Sequence, residues 1–113
     1  MRLWDKRTGE IDHAIAAYWK EHYDLRHILE TNWKTLGPKL ASKLNIYVGD
    51  ADTYYLNNAV KLMEDFLKTT KDPAYGGRVE YGPCKPHCWG PSFSDLIRFM
   101  GEHVTKTAPP APT

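Results

Sequence analysis

The chain carries little cysteine, little net charge and no long apolar run, and each shortage removes a class of function. Cys84 and Cys88 are its only two cysteines. That is too few to define a disulfide framework, so the redox compartment stays open. No stretch reaches the roughly 18 apolar residues that a membrane-spanning helix needs. The opening residues MRLWDKRTGE also lack the apolar centre of a secretory signal. With 15 Lys and Arg against 14 Asp and Glu, the formal charge is +1. Such a chain has no field to steer nucleic acid or anionic lipid, and neither nucleic acid nor a membrane is an expected partner. No internal repeat is present, and none of Ser42, Ser92 and Ser94 lies in a G-x-S-x-G turn.

What is present suits one small domain: 113 residues, 42% of them hydrophobic and 26% charged. Ile15, Tyr18, Trp19 and His22, then Leu25, Ile28, Leu29 and Trp33, recur at three- and four-residue steps and predict two short helices. Asp12 and Asp24 are placed to cap them, because a short side-chain oxygen can accept from the free amides of a first turn. Gly37-Pro38-Lys39 is expected to end this helical region, since proline removes an amide and restricts the residue before it.

KLNIYVG, ending at Gly49, is short, β-branched and aromatic, and predicts a strand of about five residues. Ala59, Val60, Leu62, Met63, Phe66 and Leu67 then mark the expected buried face of a helix from about Leu56 to Lys68. RVEY predicts a second strand, GPCKPHCWGP a loop, and Ser92 to about His103 a closing helix whose Ser92 and Asp95 form a capping pattern. The domain is expected over residues 1–104, with a disordered Pro-rich tail over 105–113. Strand, helix, strand, helix is the order of a parallel βαβ unit, so the fold class is α/β. Two parallel strands alone make a poor sheet, so the second half reads as the edge of a larger one.

Functional groups of doubly wound proteins gather beyond the carboxyl ends of the strands. Asp50 and Asp52 follow the first strand there, and His87 lies in the loop after the second. A carboxylate on one imidazole nitrogen fixes the tautomer and stabilises the imidazolium formed in general base catalysis. Each residue also has a plainer reading: the two aspartates as a helix-entry turn offsetting free amides, and His87 as an ordinary loop histidine. His13, His22, His27 and His103 fall on predicted helices, where packing or exposure is the default. Cys84, His87 and Cys88 make at most three of the four ligands of a structural zinc site, so no metal and no other cofactor is expected. A Cys84–Cys88 disulfide is a further alternative for an oxidising compartment.

IYVGDADTYYLNNAVKLMEDFL and VEYGPCKPHCWG together resemble the final portion of α/β-hydrolases of the esterase type. There the triad acid follows the penultimate strand in a G-x-x-D turn, matched here by Gly49 to Asp52, and the histidine follows the last strand, matched by Gly82 to Gly90. The upstream YDLRHILETNWKTLGPKL resembles the segment leading into the acid-bearing strand, so the likeness covers nearly all but the tail. It implies a serine hydrolase of small-molecule esters, with Asp52 as acid and His87 as base. Asp50 is the alternative acid, or otherwise a residue supporting the turn. Trp89 and Tyr54 are candidates to line a substrate pocket. The resemblance departs at the nucleophile, which such enzymes carry upstream in a G-x-S-x-G elbow together with part of the oxyanion hole. On this reading the chain is the C-terminal piece of an α/β-hydrolase sheet, with the serine upstream of Met1, and is inactive alone. Two other functions remain expected alternatives. One is a stand-alone interaction module that pairs its exposed sheet edge with a partner or with itself. The other is a chain that lends Asp52 and His87 to a separate serine-bearing polypeptide.

Overall fold

A computed structural model describes residues 2–107. The elements run α1 (His13–Tyr23), α2 (Leu25–Leu40), β1 (Asn45–Gly49), α3 (Leu56–Thr69), β2 (Arg78–Gly82) and α4 (Phe93–Thr107). The two strands pair as a parallel two-stranded sheet, so the chain is mixed α/β as its sequence order predicts. No described helix is long and apolar enough to cross a membrane. The described residues form two compact units: one up to Ile46 together with Asn58–Val79, the other Tyr47–Asn57 together with residues from Glu80 onward.

The first unit holds the apolar core. Leu29, Trp33, Ala41, Phe66 and Leu67 are buried together, with Leu36, Leu40, Leu44, Met63 and Val79 packed against them. The Trp33 and Phe66 rings meet edge to face at 5.6 Å, an arrangement that the ring quadrupoles favour. The Trp33 indole N–H donates to the Pro73 carbonyl at 3.0 Å, so its polar handle is satisfied. Asp12 caps α1 through the Ala14 and Ile15 amides, and Asp24 caps α2 through that of His27, both as expected.

Two details of this unit differ from the expectation. Helix α2 does not end at Gly37-Pro38-Lys39 but runs on to Leu40, interrupted instead by non-helical Asn32. Gly37 explains the tolerance: it has no Cβ to oppose the ring of the following proline, and the Trp33 indole lies where that Cβ would be. On α3, Phe66 and Leu67 are buried, but Ala59 and Leu62 are exposed, so the buried stripe is narrower than its apolar positions. Helix α1 has no fully buried residue; its aromatic side chains cluster along the helix, with Trp19 and Tyr23 5.6 Å apart.

The second unit contains the ends of both strands, the turn after β1, the loop after β2, and α4. Ser92 starts α4: its Oγ accepts from the Asp95 amide at 3.1 Å and donates to the Asp95 carboxylate at 2.6 Å. The helix extends through Thr105 to Thr107, where the tail was expected to begin; the rest of that tail, 108–113, lies outside the described residues. Phe93, Ile97 and Met100 stand exposed on α4.

Leu67, only 1% exposed, is expected to cost about 2–5 kcal/mol when cut to Ala, whereas Leu62→Ala should stay within about 0.5 kcal/mol. Urea unfolding of the two variants checks this division of the α3 face.

Candidate active site

Because the strands are parallel, the segments after β1 and β2 leave the sheet at the same end, beyond the carboxyl ends of the strands. Backbone hydrogen bonds then hold the two segments together. The Asp50 amide donates to the Gly82 carbonyl at 3.0 Å, and the Ala51 amide to the Lys85 carbonyl at 3.1 Å. Asp50 adds its side chain, whose Oδ1 accepts from the Cys84 amide, while its carbonyl accepts from the Asn57 side-chain amide at 2.9 Å. Asp50 is therefore a brace between the turn and the loop, and its carboxylate is already engaged by backbone.

Two glycines make this approach possible. A Cβ on Gly49 would strike the carbonyls of Lys85 and Pro86, and one on Gly82 would strike the Trp89 indole. Gly49 thus lets the histidine loop lie directly on the acid turn, and Gly82 provides the seat for Trp89. Half-buried Trp89 anchors the loop on the strand.

Asp52 is buried, with its side chain 2% exposed, and both carboxylate oxygens are engaged. Oδ1 accepts from the Tyr54 amide at 2.8 Å and the Leu56 amide at 3.2 Å, which opens α3. Oδ2 accepts from His87 Nδ1 at 2.8 Å. A carboxylate has no proton to give, so Nδ1 carries the hydrogen and neutral His87 presents Nε2 as a lone pair. The His87 side chain is 38% exposed, and the Tyr54 ring stands perpendicular to it with centroids 4.8 Å apart. Burial pushes the Asp52 carboxyl up. The hydrogen bonds from His87, Tyr54 and Leu56, with the attraction of the imidazole, outweigh it, so the group lies below the ordinary aspartate value.

The structure therefore brings together Asp52, His87, Tyr54 and Asp50, with Trp89 supporting the loop from Gly82. His22 instead bonds the Tyr18 carbonyl within α1, and His27 of α2 bonds the Glu21 carboxylate of α1. Cys84 and Cys88 are exposed with free thiols, and among the described residues no group of three His, Cys, Asp or Glu is placed to hold a metal ion. Asn57 is the contributor that sequence reasoning missed. Nothing in the Asn57-Asn58 pair marks the first as buried and the second as exposed. What the arrangement can do chemically is accept a proton at His87 Nε2 while Asp52 stabilises the resulting imidazolium. No protein-family model, curated protein or solved structure matches the chain.

Two outcomes follow from this geometry. Gly49→Ala should lower stability by about 1–3 kcal/mol, since the obstruction is backbone rather than a movable side chain, as urea unfolding will measure. A depressed carboxyl stabilises the fold above its unfolded value of about 3.9, and that contribution is lost as pH falls through the folded value. Asp5, lowered by the Arg7 and Thr8 amides, acts over the same acid range. The difference between wild type and Asp52→Asn in urea midpoint, followed from pH 7 to pH 2, should therefore be fully present above about pH 4 and shrink below it.

Proposed function

We propose that Asp52 and His87 are the acid and base of a serine hydrolase acting on carboxylic esters, and that the serine and oxyanion hole come from sequence outside this chain. One observation carries the reading: the 2.8 Å bond from His87 Nδ1 to buried Asp52 Oδ2, made by residues that follow two neighbouring parallel strands. It supports general base catalysis because it orients the imidazole, leaves Nε2 free to take the hydroxyl proton of a serine, and offsets the positive charge that then forms. The order of acid and histidine along the chain, and the glycine at the first position of the acid turn, agree with the esterase resemblance. Ser42, Ser92 and Ser94 lie outside any G-x-S-x-G elbow, so this chain alone should be inactive.

A second reading is an interaction module. Its support is a two-stranded sheet, marginal by itself, and the exposed Phe93, Ile97 and Met100 of α4. It requires a defined oligomer or complex of this chain.

The test is hydrolysis of p-nitrophenyl esters together with fluorophosphonate labelling, on this chain and on the intact product of its gene in the source cells. The expected result is no catalysed turnover or labelling by the chain alone, and labelling of the intact product. In that product Asp52→Asn should lower kcat on the order of 10⁴-fold. An intact product that neither labels nor turns over, or one whose rate survives His87→Ala, would overturn the hydrolase reading. A single sedimenting oligomer of the unlabelled chain would then favour the module.

A further inference from the structure

We propose that Tyr54 is a positioning residue for His87, holding the imidazole plane so that Nδ1–H stays on Asp52. The inference rests on the acid–base reading of Asp52 and His87 for its importance to catalysis, but not for its physical content. Tyr54 touches both partners by different means. Its backbone N–H donates to Asp52 Oδ1 at 2.8 Å, which leaves Oδ2 as the oxygen offered to the histidine. Its ring stands at 86° to the His87 ring, 4.8 Å between centroids, the edge-to-face arrangement that aromatic pairs prefer.

Burial does not account for this side chain, because Tyr54 is 69% exposed and contributes nothing to the apolar core. Nor does helix capping, because the capping contact uses only its amide, which any residue but proline would supply. What the ring does is limit the imidazole. His87 itself is 38% exposed, and a single hydrogen bond leaves an exposed ring free to rock about that bond. The tyrosine ring provides a second contact, and two contacts define the plane. The hydroxyl has no part in this, so phenylalanine should substitute and an aliphatic side chain should not.

The test reads the ring directly, on this chain and without substrate. In proton and nitrogen NMR of histidine-labelled protein, the wild type should give a hydrogen-bonded Nδ1–H resonance for His87 and the nitrogen shift of a protonated Nδ1. Tyr54→Phe should retain both. Tyr54→Ala should exchange this proton with water about two- to tenfold faster, the range expected for loss of one aromatic pair contact. Should Tyr54→Ala fail to fold, Tyr54→Leu carries the test with the same expected gain, and the dispersed backbone amides of the same spectrum verify folding. Unchanged exchange in a folded Ala or Leu variant overturns the proposal, as does equal acceleration by Phe. Failure of the hydrolase reading leaves a different mark: the exchange difference persists while ester turnover by the intact gene product ignores His87→Ala.

Discussion

A buried carboxylate must be met by donors, and the unit that carries the site is organised around meeting that demand at Asp52. Its side chain is 2% exposed, and an unpaired charge there would cost several kcal/mol. Three N–H groups answer it: one from Tyr54 in the turn after β1, one from Leu56 at the start of α3 and one from a histidine 35 positions further along. The first two are local, so the acid turn can form from its own sequence. The third is not local, and it needs the loop after β2 to come down onto the turn after β1. The backbone bonds of Asp50 and Ala51 to Gly82 and Lys85, and the absence of a Cβ at Gly49, serve that descent.

The features legible in the sequence were those encoded by short-range chemistry. Asp12, Asp24 and Ser92 cap helices because a short polar side chain beside an apolar repeat has few better uses. The end of the first strand at Gly49 was readable from a β-branched and aromatic run closed by glycine, and that of the second is expected one residue short, at Tyr81 instead of Gly82. Asp52 and His87 were readable as a pair because strand order places them at one end of the sheet. What was not legible depended on a neighbour remote in sequence. Pro38 within a helix is permitted by Gly37, yet the same dipeptide in most contexts marks a stop. Leu62 has the right spacing for the α3 stripe, but burial is decided by what packs opposite, and nothing local records that.

Asp50 illustrates the limit more sharply. Two aspartates separated by one residue, both after a strand, are equivalent candidates by composition. Asp50 spends its carboxylate on the Cys84 amide of the histidine loop, while Asp52 reaches the histidine itself. The G-x-x-D resemblance favoured Asp52 of the two, and in the structure it is Asp52 that contacts the imidazole. Asp50 then acts on the site through the loop it holds.

The plainer reading of Asp52, a helix-entry residue and nothing more, can be weighed by counting what capping requires. A cap needs one side-chain oxygen, and Oδ1 alone accepts both the Tyr54 and Leu56 amides. Asparagine or serine could do that as well, with no buried charge to compensate. The second oxygen is surplus to the helix, and it is the one bonded to His87. Were Asn at this position, its amide nitrogen would face His87 as a donor and favour the tautomer with the proton on Nε2, the nitrogen that must be bare to act as a base. The two amide contacts therefore do not require aspartate over asparagine, although a carboxylate's charge also favours a helix N-terminus. Aspartate and asparagine differ at the imidazole, where the carboxylate selects the tautomer of His87 with its proton on Nδ1.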